Sequence, residues 1–252
     1  MTLAHHHDYP YRLRLVHGDY AEIALERRGR TVRIDPAGEV GADEIVVLTS
    51  SAPHRARATR EAVRAGRRPT VVAAEAVRGW LAGEGAIEGA ATPAEVDGVR
   101  IEGVPYAPPR PARPLSAFFR ASIAGARPQL WRMSYPQLEP VALQITLPDG
   151  ARLVHLDLAL HAGADEAWVA RLAEAWQGAE WLVVGCAWGE ADAVATHVPR
   201  FGARRVLVAE LINAERREMG LPTELVTPLR DRLHGAGIEA HVFATQTSFR
   251  FE

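Results

Sequence analysis

A polar turn follows an apolar strand near residue 50 and carries side chains able to do chemistry. The stretch VVLTSSAPHRARA, residues 46–58, runs from a β-branched strand through this turn into an arginine-rich segment. The turn and its exit contain Thr49, Ser50, Ser51, His54 and Arg55. Imidazole binds metal ions through a neutral ring nitrogen, and guanidinium binds carboxylates and phosphates. The turn is interpreted either as a catalytic loop with unusual ligands or as one that has lost its metal.

Other chemically active residues are few. The only cysteine, Cys186, lies in the apolar stretch WLVVGCAWG, which excludes an intramolecular disulfide and a cysteine-based zinc site. His5, His6 and His7 form a weak metal-binding tract in residues 1–10, which we expect to be a mobile terminus. His17 alternates along a strand and is predicted to be a buried core histidine.

Composition limits the class of protein. The chain has 252 residues, 48% hydrophobic and 24% charged, with a formal net charge of -2. No apolar run approaches the roughly 20 residues that a membrane helix needs, and the charge argues against a nucleic-acid binder. We expect one domain over residues 11–252, no membrane or nucleic-acid partner, and a cytoplasmic location by default.

The order of predicted elements indicates an α/β fold made of two similar halves. Residues 11–34 read as an antiparallel meander, and strand, helix and strand follow at 43–50, 54–66 and 69–74. A second hairpin, around the Pro148-Asp149-Gly150 turn, is again followed by alternating helices and strands. Two halves of this kind can pack sheet against sheet with the helices outside.

A proline-rich insertion is predicted near 105–140, because PPRPARP at 108–114 cannot form regular structure. Trp131 and Tyr135 follow it and are candidates for a pocket wall or a self-association surface. A structural or regulatory subunit that docks on a protein partner, or forms a homo-oligomer, would expose an apolar patch at Phe118, Phe119 and Trp131.

With these elements placed, the chain resembles the metallo-β-lactamase superfamily, most closely its lactonase-like branch. The resemblance lies in LVHGDYAEIALERRGRTVRIDP, with His17 and Asp35, in LPDGARLVHLD, and in GIEAHVFATQTSFRF. It spans nearly the whole chain, from about Tyr11 to Glu252. The resemblance implies a four-layer αββα sandwich of two mixed β-sheets with helices on both outer faces.

The metal ligands of that family are mostly replaced. The family loop reads Thr-His-x-His-x-Asp-His, and its positions correspond here to Ser50, Ala52, His54 and Arg55, with Glu210 at the last family histidine. Only the bridging aspartate has a counterpart, Asp157. The resemblance therefore implies a fold that has lost its dizinc centre and binds a small molecule or protein partner without a metal cofactor. Candidate ligand-binding residues are Ser50, Ser51, Arg55 and Trp131.

An alternative keeps one metal ion. Loops that the fold would bring to one rim carry His54, Asp157 and Glu210, which with water could hold a single zinc or manganese ion. His155 or His161 would supply a fourth ligand. The protein would then be a hydrolase of a small phosphate ester or lactone, with Asp157 and His54 as catalytic candidates. Against this, Arg55 is predicted to pair with Asp157 or Glu210 in the place of the metal.

Overall fold

The structure is a computed structural model of the whole chain. It describes residues 13–27, 30–41, 44–109, 136, 138–187, 189–218, 223 and 225–251. Expectations for residues 1–10, Phe118, Phe119, Trp131 and Tyr135 lie outside these residues. No helix among the residues described is long and apolar enough to cross a membrane.

The first half of the chain follows the predicted meander and βα order. Its elements are β1 (Leu13–His17), β2 (Ile23–Arg27), β3 (Arg30–Ile34), β4 (Ile45–Leu48), α1 (Pro53–Arg64), β5 (Thr70–Ala73), α2 (Glu75–Ala82), β6 (Ala94–Val96) and β7 (Val99–Pro105). Helix α1 begins with Pro53 in its first turn, where a missing backbone N–H costs nothing. It is followed by Gly66 with a positive φ, a conformation that glycine adopts readily.

The second half repeats this plan. It contains β8 (Val141–Thr146), β9 (Arg152–His155), α3 (Glu166–Ala175), β10 (Trp181–Gly185), α4 (Ala191–His197), a 3₁₀ turn (Val198–Phe201), β11 (Arg205–Ala209), α5 (Asn213–Glu218), α6 (Val226–Gly235), β12 (Ala240–Phe243) and β13 (Thr247–Phe251). Asp165 caps α3 by accepting hydrogen bonds from the N–H groups of Ala167 and Trp168. The predicted hairpin joins β8 to β9 in antiparallel pairing.

The strands form two mixed sheets that exchange strands between the halves. The first sheet has the order β13-β1-β2-β3-β4-β5, and the second has the order β12-β11-β10-β9-β8-β7-β6. Strand β13 crosses back to pair with β1, where Leu15 lies opposite Phe249. Strands β6 and β7, from the first half, complete the second sheet through β8. The two halves are therefore interlocked and not simply placed side by side.

Apolar side chains divide into three layers, as the αββα prediction requires. One cluster lies between the sheets and includes Leu15, Leu143 and Leu207. A second packs the outer face of the second sheet against α3, α4 and α6, and a third packs the outer face of the first sheet against α1 and α2. Because side chains alternate along a strand, the same strands supply both faces. The predicted four-layer sandwich is confirmed.

Candidate functional site

Two aspartates, one from each sheet, lie at the ends of equivalent strands. Asp35 follows β3 and Asp157 follows β9, and both adopt a positive φ, 49° and 51° respectively. This left-handed conformation is uncommon outside glycine, although aspartate tolerates it better than most residues. Each turn is fixed by backbone bonds, from Asp35 N–H to Val47 O at 2.8 Å and from Gly185 N–H to Asp157 O at 2.8 Å. The surrounding strands thus hold both aspartates in this conformation.

Arg55 joins the two aspartates across the sandwich. Its side chain is only 4% exposed, and Nη1 donates to Asp35 Oδ2 at 2.9 Å while Nη2 donates to Asp157 Oδ1 at 2.6 Å. Arg55 lies in the first turn of α1, where the helix dipole disfavours a cation. The two carboxylates offset this penalty. The predicted pairing of Arg55 with Asp157 is present, and the second carboxylate that Arg55 contacts belongs to Asp35.

Thr49 and Tyr106 complete the network around this ion pair. Thr49 donates from its N–H to Asp35 Oδ1 at 2.8 Å and from its hydroxyl to Asp35 Oδ2 at 2.5 Å. The Tyr106 hydroxyl donates to Asp157 Oδ2. Arg55 Nη1 also donates to Thr49 Oγ1 at 2.7 Å. Both oxygens of each carboxylate therefore accept at least one hydrogen bond, as buried charges require. We call Asp35, Thr49, Arg55, Tyr106 and Asp157 the arginine cluster.

Burial and pairing act in opposite directions on the charges of the cluster. Burial raises the pKa of Asp35 above its ordinary value, which Arg55 and Thr49 only partly oppose. Burial is the largest single influence on Asp157 and would raise its pKa, but the charge of Arg55 and the hydrogen bonds from Tyr106 and Arg55 act with other opposing causes, and the pKa is lowered. Desolvation disfavours the charged form of Arg55, yet Asp157 and Asp35 raise its pKa. Arg55 is therefore a permanent cation at this position.

The rest of the polar turn lines a cleft beside the cluster. Ser51 Oγ donates to Pro136 O at 2.5 Å and accepts from Leu138 N–H, so this hydroxyl positions the end of the proline-rich segment. Ser50 Oγ accepts from Ala52 N–H at 3.2 Å, which leaves the hydroxyl proton to be donated elsewhere. Arg55 Nε donates to His54 Nε2 at 3.3 Å. Neither His54 nor Arg55 caps α1, whose N-cap residue, Ala52, makes no side-chain bond.

The cleft has a volume of about 410 Å³. Its described lining consists of Ser50, Ser51, Ala52, Pro53, His54, Arg55, Tyr106, Pro108, Pro109, Pro136, Leu138, Pro140, Asp157, Leu158 and Ile212. We call it the Arg55 cleft. Its mostly apolar wall with a few polar groups is typical of small-molecule sites of this size. The structure therefore brings Ser50, Ser51, His54, Arg55 and Asp157 to one cleft, from elements about a hundred residues apart.

Three further predicted residues lie elsewhere among the described part of the chain. Glu210 does not line the Arg55 cleft; its carboxylate is 3.5 Å from Asn213 Nδ2 and its charge acts on His17. His155 is fully buried on β9, and neither ring nitrogen has a hydrogen-bond partner. His161 instead bonds through Nε2 to Ala107 O at 2.9 Å. Among the described lining of the Arg55 cleft, the carboxylate that joins Asp157 in contacting Arg55 is Asp35 and not Glu210.

His17 is the buried core histidine that its strand position predicts. Its Nδ1 lies 2.7 Å from Phe243 O and its Nε2 lies 3.2 Å from Tyr20 O, and burial lowers its pKa. Cys186 is likewise buried, 3% exposed.

The residues of the cluster do not fit the dizinc centre that the resemblance implies. Ala52 has no ligand atom, and the guanidinium of Arg55 lies directly between the two carboxylates. Within the described ranges, no group of three or more His, Cys, Asp and Glu side chains could hold a metal ion. The alternative set of His54, Asp157, Glu210 and His155 is therefore not assembled.

Solved structures of the same architecture share little sequence with this chain. A metallo hydrolase from the archaeon Ignicoccus hospitalis has a TM-score of 0.65 and 13% identity, over 95% of this chain and 98% of that one. An isothiocyanate hydrolase from Delia radicum gut bacteria has a TM-score of 0.60 and 16% identity, over 95% and 99%. CmlA, a diiron β-hydroxylase from Streptomyces venezuelae, has a TM-score of 0.57 and 12% identity, over 96% and 55%. No protein-family model and no curated protein sequence matches the chain.

These similarities extend over the full sandwich, including both sheets and their outer helices. The fold is that of the metallo-β-lactamases. Within the metallo-β-lactamase fold, identities this low establish architecture and leave the reaction open.

Sequence reasoning assigns no contact to three members of the arginine cluster, namely Asp35, Thr49 and Tyr106. Each of them directly follows a strand, at the ends of β3, β4 and β7. Position at a strand end was the available signal, because side chains from neighbouring strand ends share one edge of a sheet. The family resemblance includes Asp35 and the polar turn includes Thr49, whereas no motif in the sequence points to Tyr106.

Replacing Tyr106 by Phe tests the hydrogen bond to Asp157. The change removes one donor from a buried carboxylate, and we expect the free energy of unfolding to fall by about 1.5–3 kcal/mol. Urea unfolding followed by circular dichroism measures this loss. An unchanged slope against urea would show that the fold is intact. A loss below about 0.5 kcal/mol would show that the tyrosine does not support the carboxylate.

Proposed function

We propose that this chain is a metal-independent ligand-binding protein built on the metallo-β-lactamase fold, which holds a small molecule in the Arg55 cleft. In this proposal the guanidinium of Arg55 takes the position of the lost metal centre and neutralises the charge of Asp157. The observation that carries the proposal is the double ion pair of Arg55 with Asp35 and Asp157.

Electrostatics supports this proposal over a metal-dependent hydrolase. A guanidinium in contact with Asp157 repels a divalent cation and already occupies one carboxylate oxygen, while Tyr106 occupies the other. A hydrolase with a single metal needs three protein ligands and an open position for water. His54 would be a weak first ligand, because its Nε2 accepts a hydrogen bond from Arg55.

Metal content of the purified protein tests the proposal. The chain is prepared without residues 1–8, so that His5, His6 and His7 cannot bind metal, and it is purified without chelator. After incubation with excess zinc and manganese and gel filtration, we expect far less than one equivalent of metal by plasma emission spectroscopy.

Two variants, each with one added histidine, are measured in parallel for metal content. Arg55→His restores an imidazole at the family's ligand position and shows whether the fold can regain metal, and Arg64→His adds an imidazole on the same helix away from the cleft. One equivalent of metal in the unsubstituted protein would overturn the proposal in favour of a mononuclear hydrolase. If the Asp157→Asn variant then bound no metal, Asp157 would be identified as part of the metal site.

A further inference from the structure

We propose that a second depression, walled by Tyr106 and Trp168, binds neutral aromatic compounds that carry an N–H or O–H donor at the edge of the ring. We call it the Trp168 depression. It is separate from the Arg55 cleft, although Tyr106 lines both. The inference therefore goes beyond the proposed function and does not depend on what the Arg55 cleft holds. Its basis is the arrangement of the two rings, the size of the depression, and the position of Asp165.

Tyr106 and Trp168 form an open corner in the wall of the Trp168 depression. Their ring centroids are 6.4 Å apart and their planes are tilted by 49°, so the rings meet at an angle and are not stacked. Aromatic rings attract one another in offset and edge-to-face arrangements with centroids about 4.5–7 Å apart. A third flat ring in the depression can contact both residues in this way. A saturated ring is thicker and lacks the π-system.

The polar groups of both rings are already bonded within the protein. Trp168 Nε1 donates to Pro105 O at 3.0 Å, and the Tyr106 hydroxyl donates to Asp157 Oδ2. These bonds fix the orientation of the rings before a ligand arrives, so little side-chain freedom is lost on binding. Because these polar groups are bonded elsewhere, the two rings offer carbon atoms to a ligand in the depression.

The volume and the other walls of the Trp168 depression suit a small ring. The depression measures about 210 Å³. An apolar protein cavity of about 150 Å³ binds benzene, so this depression has space for one ring or a compact bicyclic compound. Ala107, Ala159 and Ala164 also line it, and their short side chains let a flat ligand approach the two aromatic residues. Apolar ring carbon is stabilised by leaving water for such a surface.

Asp165 supplies a hydrogen-bond acceptor in the same lining. Its Oδ1 accepts from the N–H groups of Ala167 and Trp168 at 2.8 and 3.4 Å, which caps α3 and fixes the carboxylate. The cap does not use Oδ2, so this oxygen is able to accept from a ligand. Glu139 adds a second carboxylate to the described lining. A donor at the edge of a bound ring gains a hydrogen bond to a charged acceptor, which is stronger than one between neutral groups.

Two pairs of probes separate the effect of the ring from that of its donor. Phenol and cyclohexanol share a hydroxyl but differ in aromaticity, and indole and benzofuran share a bicyclic outline but differ in the N–H group. Binding to the full chain is measured by calorimetry and ligand-observed NMR. We expect phenol to bind at least about threefold more tightly than cyclohexanol, and indole at least about threefold more tightly than benzofuran. The dissociation constant of indole should be on the order of 1 mM.

The side-chain N–H signal of Trp168 locates the bound probe. The chain has 6 tryptophans, and in protein with isotope-labelled tryptophan the signal of Trp168 is the one that disappears in the Trp168→Phe variant. We expect this signal to shift as unlabelled indole or phenol is added, because the bound ring lies against Trp168.

Matched variants assign the hydrogen bond to Asp165. Asp165→Asn keeps an oxygen that caps α3, because asparagine and aspartate are similarly good helix caps, but it replaces the second acceptor by an N–H donor. It should remove the preference for indole over benzofuran. Glu166→Gln removes the same charge from the next residue, which is outside the described lining, and should keep that preference.

A second pair of variants tests the depression itself. Ala164→Leu fills it and should weaken the binding of indole and phenol at least about tenfold. Ala170→Leu adds the same atoms at an exposed position of α3 outside the described lining, and should leave binding unchanged. Absence of binding by indole and phenol, equal binding within either pair of probes, an unshifted Trp168 signal, or equal effects within either pair of variants would overturn the inference. None of these outcomes bears on the proposed function, which the metal content of the protein decides.

Discussion

Replacing Arg55 by Met will lower the free energy of unfolding by about 3–5 kcal/mol at pH 8, because it leaves Asp35 and Asp157 buried without a counter-ion. The methionine fills similar volume, so the loss reports charge and not a cavity. Urea unfolding of both proteins across pH measures the difference. The deficit should shrink toward pH 5, since protonation of the two aspartates then relieves their repulsion.

Arg64→Met is the matched control for this prediction. Arg64 lies on the same helix, is 55% exposed, and pairs with Glu84 at 2.6 Å. Exposed pairs contribute about 0–1 kcal/mol, so this variant should lose little. If Arg55→Met were no more destabilising than Arg64→Met, the arginine cluster would not be holding the two sheets together.

Acid will destabilise the protein through His155. Burial lowers the pKa of His155 in the folded protein to about 4, from a value of 6.5 in the unfolded chain. Between these two values the unfolded state binds more protons than the folded state. Stability is therefore full above pH 6.5 and falls as pH drops toward 4, by about 3 kcal/mol in total.

Replacing His155 by Leu isolates this contribution. The variant lacks the titrating group, so its stability should change less between pH 6.5 and 4 than that of the unsubstituted protein. At pH 8 it should be as stable or more stable, because both ring nitrogens of His155 lack hydrogen-bond partners. His241→Leu, at a side chain that is 41% exposed, serves as control and should preserve the steep pH dependence. Identical pH curves for all three proteins would contradict the prediction.

The elements of this fold could be predicted because their signals are local. The continuous apolar run of β4, the arginine-rich amphipathic helix α1 ending before Gly66, and the Pro148-Asp149-Gly150 turn each indicate structure from a few adjacent residues. The exchange of β13 into the first sheet has no such signal. Strand pairing depends on packing between distant segments. The alternation of apolar and polar residues indicates a strand, but it does not show which other strand pairs with it.

The candidate site was predictable only in part for the same reason. The polar turn and Asp157 could be found from residue type and family resemblance, and the pairing of Arg55 with Asp157 followed from charge. Asp35 contacts Arg55 because β3 and β4 pair in parallel with Val47 opposite Ile34, which places Thr49 beside Asp35. Glu210 ends a strand as Asp157 does, yet it bonds to Asn213 and remains outside the cleft. Whether a carboxylate at a strand end reaches Arg55, as Asp35 does, or remains outside the cleft, as Glu210 does, depends on strand register. A single sequence does not reveal this register.

The pairing of β1 with β13 has a consequence for the order of folding during synthesis. Strand β1 is synthesised before all the other strands of both sheets, and Leu15 cannot meet Phe249 until the elements between them and β13 itself have left the ribosome. Until then the first sheet presents the unpaired backbone of β1 as an open edge, which invites association with other chains. Contacts between such distant segments also slow folding. Nascent chains of this protein should therefore depend on chaperones that shield strand edges until β13 docks.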